Sequence, residues 1–167
     1  MNTAELLKYF AAEKSAALLL LALAVAGVSL GLYLRVNGSP FRAMAWVLFP
    51  VAAIQLAVGA GLLVRTGPQM AALQQGLAQS PAQTVVAEKE RMAKVNRSWL
   101  PIKVVEVGLI AVGLGLIVFG ATSGHTYAAV GMGLVLEAAV MLVFDIFAEQ
   151  RAVEYSAWLA ALATNVG

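Results

Sequence analysis

Glu137 is the residue whose type fits its surroundings least, and the search for chemistry begins there. It lies ten residues into the apolar run from Tyr127 to about Ala148. At a helical rise of ~1.5 Å per residue that is ~15 Å, near the middle of a ~30 Å hydrocarbon core. Desolvation penalises a charged carboxyl at that depth, so the group must be neutral or strongly paired. Acids placed this way mark proton or ion pathways, or act as neutral hydrogen-bonding locks between helices. Gln55, twelve residues into another apolar run, reaches ~18 Å from the same face. The two are predicted to meet. Glu106, five residues after Pro101, lies only ~8 Å from the opposite boundary, and Asp145 lies near that boundary as well. These four residues are the binding or transport candidates. Glu106 and Asp145 also fit snorkelling or salt-bridged positions at the membrane edge, with Lys103 one turn away as a partner for Glu106.

Other chemistries lack their residues. There is no cysteine and one histidine, which removes thiol nucleophiles, thiolate sites and a His-based metal cluster. His125, beside Thr122, Ser123 and Thr126, reads as a solvated turn residue. No catalytic residue, metal or cofactor is expected. Gly113-Leu-Gly115 lies in an apolar run with no strand before it, so it is not a nucleotide-binding loop.

The elements that position these residues follow from composition. Hydrophobic residues make up 61% of the 167 positions and charged residues 12%. The mean hydropathy is +0.84. A soluble domain carries about 25% charged residues, so lipid must solvate much of this chain. The fold class expected is an all-α integral membrane protein of one domain, residues 1–167, with spans at about 15–34, 43–64, 101–121 and 127–148. They form two antiparallel hairpins, because the connections at 35–42 and 122–126 are too short for anything else. Asn37-Gly38 and Pro40 suit the first turn. Gly27 and Gly31, like Gly113 and Gly120, suit close helix packing, and the latter two share a face with Glu106.

Between spans two and three, residues 66–100 form a polar helical section. Thr66-Gly67-Pro68 ends the second span, Ser80-Pro81 starts a new helix with Gln83 completing a capping box, and Pro101 opens the third span. Lys89, Arg91, Lys94 and Arg97 make a basic surface, with Glu90 and Lys94 as an i,i+4 pair. Val85, Met92, Val95 and Trp99 line another side. An apolar stripe with a basic face predicts a helical hairpin lying on the membrane surface. The tail, 149–167, carries Tyr155, Trp158, Leu159 and Leu162 at helical spacing and reads as an interfacial or docked amphipathic helix. Nine of the eleven Lys and Arg fall on the side holding both termini and this section. The positive-inside rule then puts that side in the cytoplasm of a bacterial-type inner membrane.

Arg91, Asn96, Ser98 and Pro101 resemble the cytoplasmic Arg…Asn…Pro motif of the membrane-associated eicosanoid and glutathione metabolism family, whose members have four spans and form trimers. The resemblance covers about a dozen residues. The family's acidic residue between the Asn and the Pro is missing, and the motif falls here after the second span instead of the first. No role is carried over. The leading expectation is a non-catalytic subunit or interaction partner in a membrane assembly, in contact with lipid and with a second copy or a membrane protein, and not with nucleic acid. The alternatives are an oligomeric proton- or cation-coupled transporter or channel using Glu137, and a small membrane enzyme acting on a lipophilic substrate.

Overall fold

A computed structural model describes residues 4–166. The extreme ends of the expected domain, residues 1–3 and 167, lie outside the described residues, as do the side chains of 165 and 166. The chain is four long helices: α1 (Ala4–Val36), α2 (Ala45–Gln79), α3 (Pro81–Ser123) and α4 (His125–Val166), with a short 3-10 turn at Arg42–Met44 before α2. All four are long and apolar enough to cross a membrane. The longest, α3, has 43 residues. At ~1.5 Å per residue it measures ~64 Å, about twice a hydrocarbon core.

The helices pack as two pairs. In the first, Gly31 lies against Phe49, Gly27 against Ala52 and Gly59 against Ala17, so α1 and α2 run in opposite directions. In the second, Gly120 lies against Ala128 and Gly113 against Gly131. Gly113 and Gly131 each face the other's backbone so closely that a Cβ on either would collide with the opposite carbonyl. Small residues let helix backbones approach where lipid gives apolar side chains no reason to associate.

The helices do not stop where the sequence placed their ends. Pro68 lies inside α2 and Pro101 inside α3, and α4 runs through Ala148 into the tail without a break. The carbonyls that the two prolines leave without a donor belong to Val64 and Arg97, both exposed residues. A proline ends a helix only if nothing else holds the rod straight, and here packing does. Leu6 and Phe10 of α1, Leu77 of α2, Val85 and Met92 of α3 and Ala152, Tyr155, Leu159 and Leu162 of α4 form one buried core at the end of the bundle that carries the termini. The stripe of Val85 and Met92, expected to face lipid, therefore faces protein. The polar section is two rods continuous with the apolar ones, and not a hairpin laid flat.

Ser80 is the one break between α2 and α3, as its sequence context predicted, but its hydroxyl caps nothing. The turn closes through backbone bonds from Ser80 to Gly76 and from Thr84 to Ser80, and Gly76 leaves room for the Thr84 side chain. The second connection is Gly124 alone, at φ 127, so the expected turn at 122–126 contracts to one residue and His125 begins α4.

Two phenols organise the terminal core. Tyr9 stacks on Tyr155 with ring centroids 4.2 Å apart, and the Tyr155 hydroxyl donates to Glu88 at 3.1 Å. Burial raises both phenols above the ordinary tyrosine value of 10.0, helped by the negative charge of Glu13 at Tyr9 and of Glu88 at Tyr155.

This packing sets two measurable expectations. Gly131→Ala should lower stability by about 1–3 kcal/mol through overpacking, measured by thermal or denaturant unfolding in detergent. Gly115→Ala, where an added Cβ meets nothing within 4 Å, should be neutral or better. The phenols raised in the folded state contribute stability that is complete below pH 10.0, because the unfolded chain ionises first above it. Stability should therefore fall as pH climbs past that value, and Tyr155→Phe should flatten the decline.

Candidate functional site

Between the two helix pairs lies a cavity of about 530 Å³. Gln55, Glu106, Glu137 and Asp145 all line it. Toward the short turns, Gly133 of α4 lies against Met44 and Val47. Glu137 is 8% exposed and Gln55 2%. Gln55 Nε2 donates to Glu137 Oε2 at 3.0 Å, and to the Met141 sulfur at 3.6 Å. The other Glu137 oxygen faces Gly27, where an added Cβ would sit 3.5 Å from it. One carboxyl on α4 thus addresses α1 and α2 together, at the level the rise-per-residue argument gave.

Glu106 and Asp145 form a second acidic level nearer the terminal core. The sequence offered snorkelling or salt bridging at the membrane edge for both. Both instead turn inward, at 6% and 8% exposure, and neighbour each other across α3 and α4. Lys103, expected to pair with Glu106, binds Glu149 of α4 at 2.6 Å. Among the described residues no basic side chain pairs with Glu106, Glu137 or Asp145. The inward turn of Glu106 had a signal in the sequence: Gly113 and Gly120 follow it at intervals of seven, and both lie against α4.

Toward the terminal end the lining becomes basic, with Arg65, Arg91 and Arg151. Arg65 is paired with Glu13 of α1 at 3.2 Å, and the Thr66 hydroxyl donates to the same carboxylate at 3.3 Å. Arg91 grips Glu88 through two bonds of 2.8 and 2.6 Å. Burial alone would weaken the Arg91 charge, but Glu88 outweighs it and keeps the guanidinium more basic than usual. Of the expected basic surface, Lys89, Lys94 and Arg97 are exposed while Arg91 is half-buried and turned toward the cavity. The expected Glu90–Lys94 pair is absent from the ion pairs of the described residues, where Glu88–Arg91 stands instead.

Three buried polar atoms on the cavity wall have no hydrogen-bond partner: Gln55 Oε1, Glu106 Oε2 and Trp99 Nε1. Unpaired polar atoms in a protein interior are rare and costly, and call for water or a ligand. No group of three His, Cys, Asp or Glu side chains able to hold a metal occurs among the described residues. The residues resembling the glutathione-family motif do not converge. Arg91 holds Glu88, Asn96 donates to Ser156 at 2.9 Å and Ser98 bonds back to Val95 of its own helix.

Gln55→Leu should remove the amide that binds Glu137 and cost about 1–2 kcal/mol of stability. Glu137→Gln, which keeps a side chain able to hydrogen-bond, should cost less. Unfolding of both variants under identical lipid or detergent conditions checks the order.

No protein-family model, curated protein or solved structure matches the chain, so its function is to be read from the site itself.

Proposed function

We propose that the protein is a small transporter of the inner membrane in which a cavity between two helix hairpins exchanges protons for cations. The observation that carries this reading is the convergence of Glu106, Glu137 and Asp145 on one cavity, with no basic partner for any of them among the described residues. Carboxyls held inside an apolar bundle bind a proton or a cation, and each occupant weakens the hold on the other. The charged and titratable groups lining the space are Glu13 from α1, Arg65 from α2, Arg91 and Glu106 from α3, and Glu137, Asp145 and Arg151 from α4, with Tyr9 at the terminal end. Arg65 and Arg91 are occupied by Glu13 and Glu88. The acids are therefore the free partners for an incoming positive charge.

The distribution of Lys and Arg supports an orientation with both termini and the Ser80 turn in the cytoplasm. On that view the terminal core is a cytoplasmic extension of the bundle, and the acidic levels lie at the middle and the inner edge of the bilayer. A second reading, as a subunit of a larger membrane assembly or of a homo-oligomer, is favoured by the outer face of α3. Val104, Val112 and Val118 are exposed there, and Gly108 and Gly115 have open space where a neighbour's side chain could settle.

The transport reading is tested in proteoliposomes loaded with a pH-sensitive dye. Inward gradients of sodium, potassium or an organic cation are imposed in turn. At least one should drive protein-dependent proton efflux, and Glu137→Gln should abolish it. Proton movement that is unaffected by the substitution, or that no gradient produces, overturns the reading.

A further inference from the structure

The shape and lining of the cavity narrow the substrate class. At about 530 Å³ it falls within the ~300–1,000 Å³ range of small-molecule sites. Apart from the groups already described, its walls are apolar, with Leu20, Val51, Ile54, Leu109 and Met141 among them. A bare inorganic cation needs about six or more close oxygen ligands, and here the side-chain oxygens are split between two levels, Glu106 with Asp145 and Glu137 with Gln55. An anion would meet buried carboxyls; Arg65 and Arg91 are already taken, and Arg151 lies at the terminal end, six residues beyond Asp145. A neutral lipophile would fit the walls but leave the acids and the unpaired oxygens of Gln55 and Glu106 without a partner.

A second space adjoins the first. A groove of about 800 Å³ runs between α1 and α4, lined by Leu19, Leu23, Val140, Val143 and Phe147 among others. Ala16, Phe144 and Arg151 line both spaces. Leu19, Val143 and Phe147 are exposed, so the groove opens on the outer surface of the apolar section. Ala16 and Phe144 belong to the wall that the two spaces share, with Arg151 at its terminal end.

From this geometry we infer that the cavity takes a lipophilic organic cation, one positive charge carried in an alkyl or aromatic shell, which arrives from the bilayer between α1 and α4. The shell occupies the apolar walls, and the charge sits against Glu106 and Asp145 or against Glu137. The inference rests on the transport reading for its purpose, but not for its test.

The probe is tetraphenylphosphonium, measured by equilibrium binding to the full chain in phosphatidylcholine nanodiscs. Its anionic isostere, tetraphenylborate, and potassium serve as competitors. Tetraphenylphosphonium should bind at least about tenfold more tightly than tetraphenylborate, and Glu137→Gln, Glu106→Gln or Asp145→Asn should each weaken it by about tenfold. Equal binding of the two isosteres by the native protein overturns the inference whether or not any variant folds, since it leaves a greasy cavity with no use for its acids. Val143→Trp fills the groove without reaching the cavity. It should slow association about tenfold at nearly unchanged affinity, and an unaltered association rate overturns the lateral route. Potassium- or sodium-driven proton movement without tetraphenylphosphonium binding means the substrate class is wrong while the transport reading stands. Binding with no cation gradient able to move protons means the opposite: the ligand class holds and the transport reading fails. The absence of both sinks the two together.

Discussion

The hydrogen bond between Gln55 and Glu137 is the contact on which the shape of the apolar interior depends. In lipid, two apolar helix faces gain little by meeting, so pairs of helices stay together only through close packing or polar contacts. Each pair here has its own glycine seam. Between the pairs the apolar section offers mainly this carboxyl–amide contact and the fit of Gly133 against Met44 and Val47. Gly27 belongs to the same contact, since an added Cβ there would already touch the Glu137 carboxyl at 3.5 Å, leaving room for alanine and for nothing longer. The cavity is the space left when two pairs are pinned at one polar point and otherwise held apart.

The same rods are held by different forces along their length. In the terminal core, Phe10, Leu6 and Leu159 are shielded by protein on all sides, and burial of such side chains away from water is worth ~1.5–3 kcal/mol each. Along the apolar section most large side chains point outward, as Val25, Val105 and Val118 do, Leu20, Val47 and Leu48 excepted, and the seams are built mostly from glycine and alanine. A helix that buries large residues at one end and small ones at the other shows little net amphipathicity over its whole length. This is why α1 and α4 read as uniformly apolar although each has a well-defined inner face.

Much of this was legible because it depends on lengths. Apolar runs of about 20 residues and a fixed rise per residue give four helices long and apolar enough to cross a membrane and put Gln55 level with Glu137. Ser80-Pro81 reads correctly as a helix start because that signal is local. Pro68 and Pro101 misled because a proline only makes a break cheap, and packing of distant residues such as Leu6 and Tyr155 decides whether the break is taken. Arg91 read as part of a basic surface because its partner, Glu88, is an acid that a helix periodicity alone does not mark as buried. Lys103 found Glu149, 46 positions away, in preference to the acid one turn along its own helix. Rotation of a helix about its axis was the missing quantity in each case, and the seven-residue spacing of Glu106, Gly113 and Gly120 was the one place where the sequence recorded it.

The continuity of α3 and α4 has a mechanical consequence. Neither helix ends between the terminal core and the far turn, although Pro101 interrupts the hydrogen-bond ladder of α3, and their seam at Gly113 and Gly131 leaves no room to slide. The two helices are therefore tied together through the apolar section, and Glu137 is their polar contact with the other pair. For such a pair, a tilt of about 5° displaces a point ~30 Å away by ~3 Å. Geometry of this kind links the packing of the terminal core to the width of the cavity, whose terminal end Tyr9 also lines.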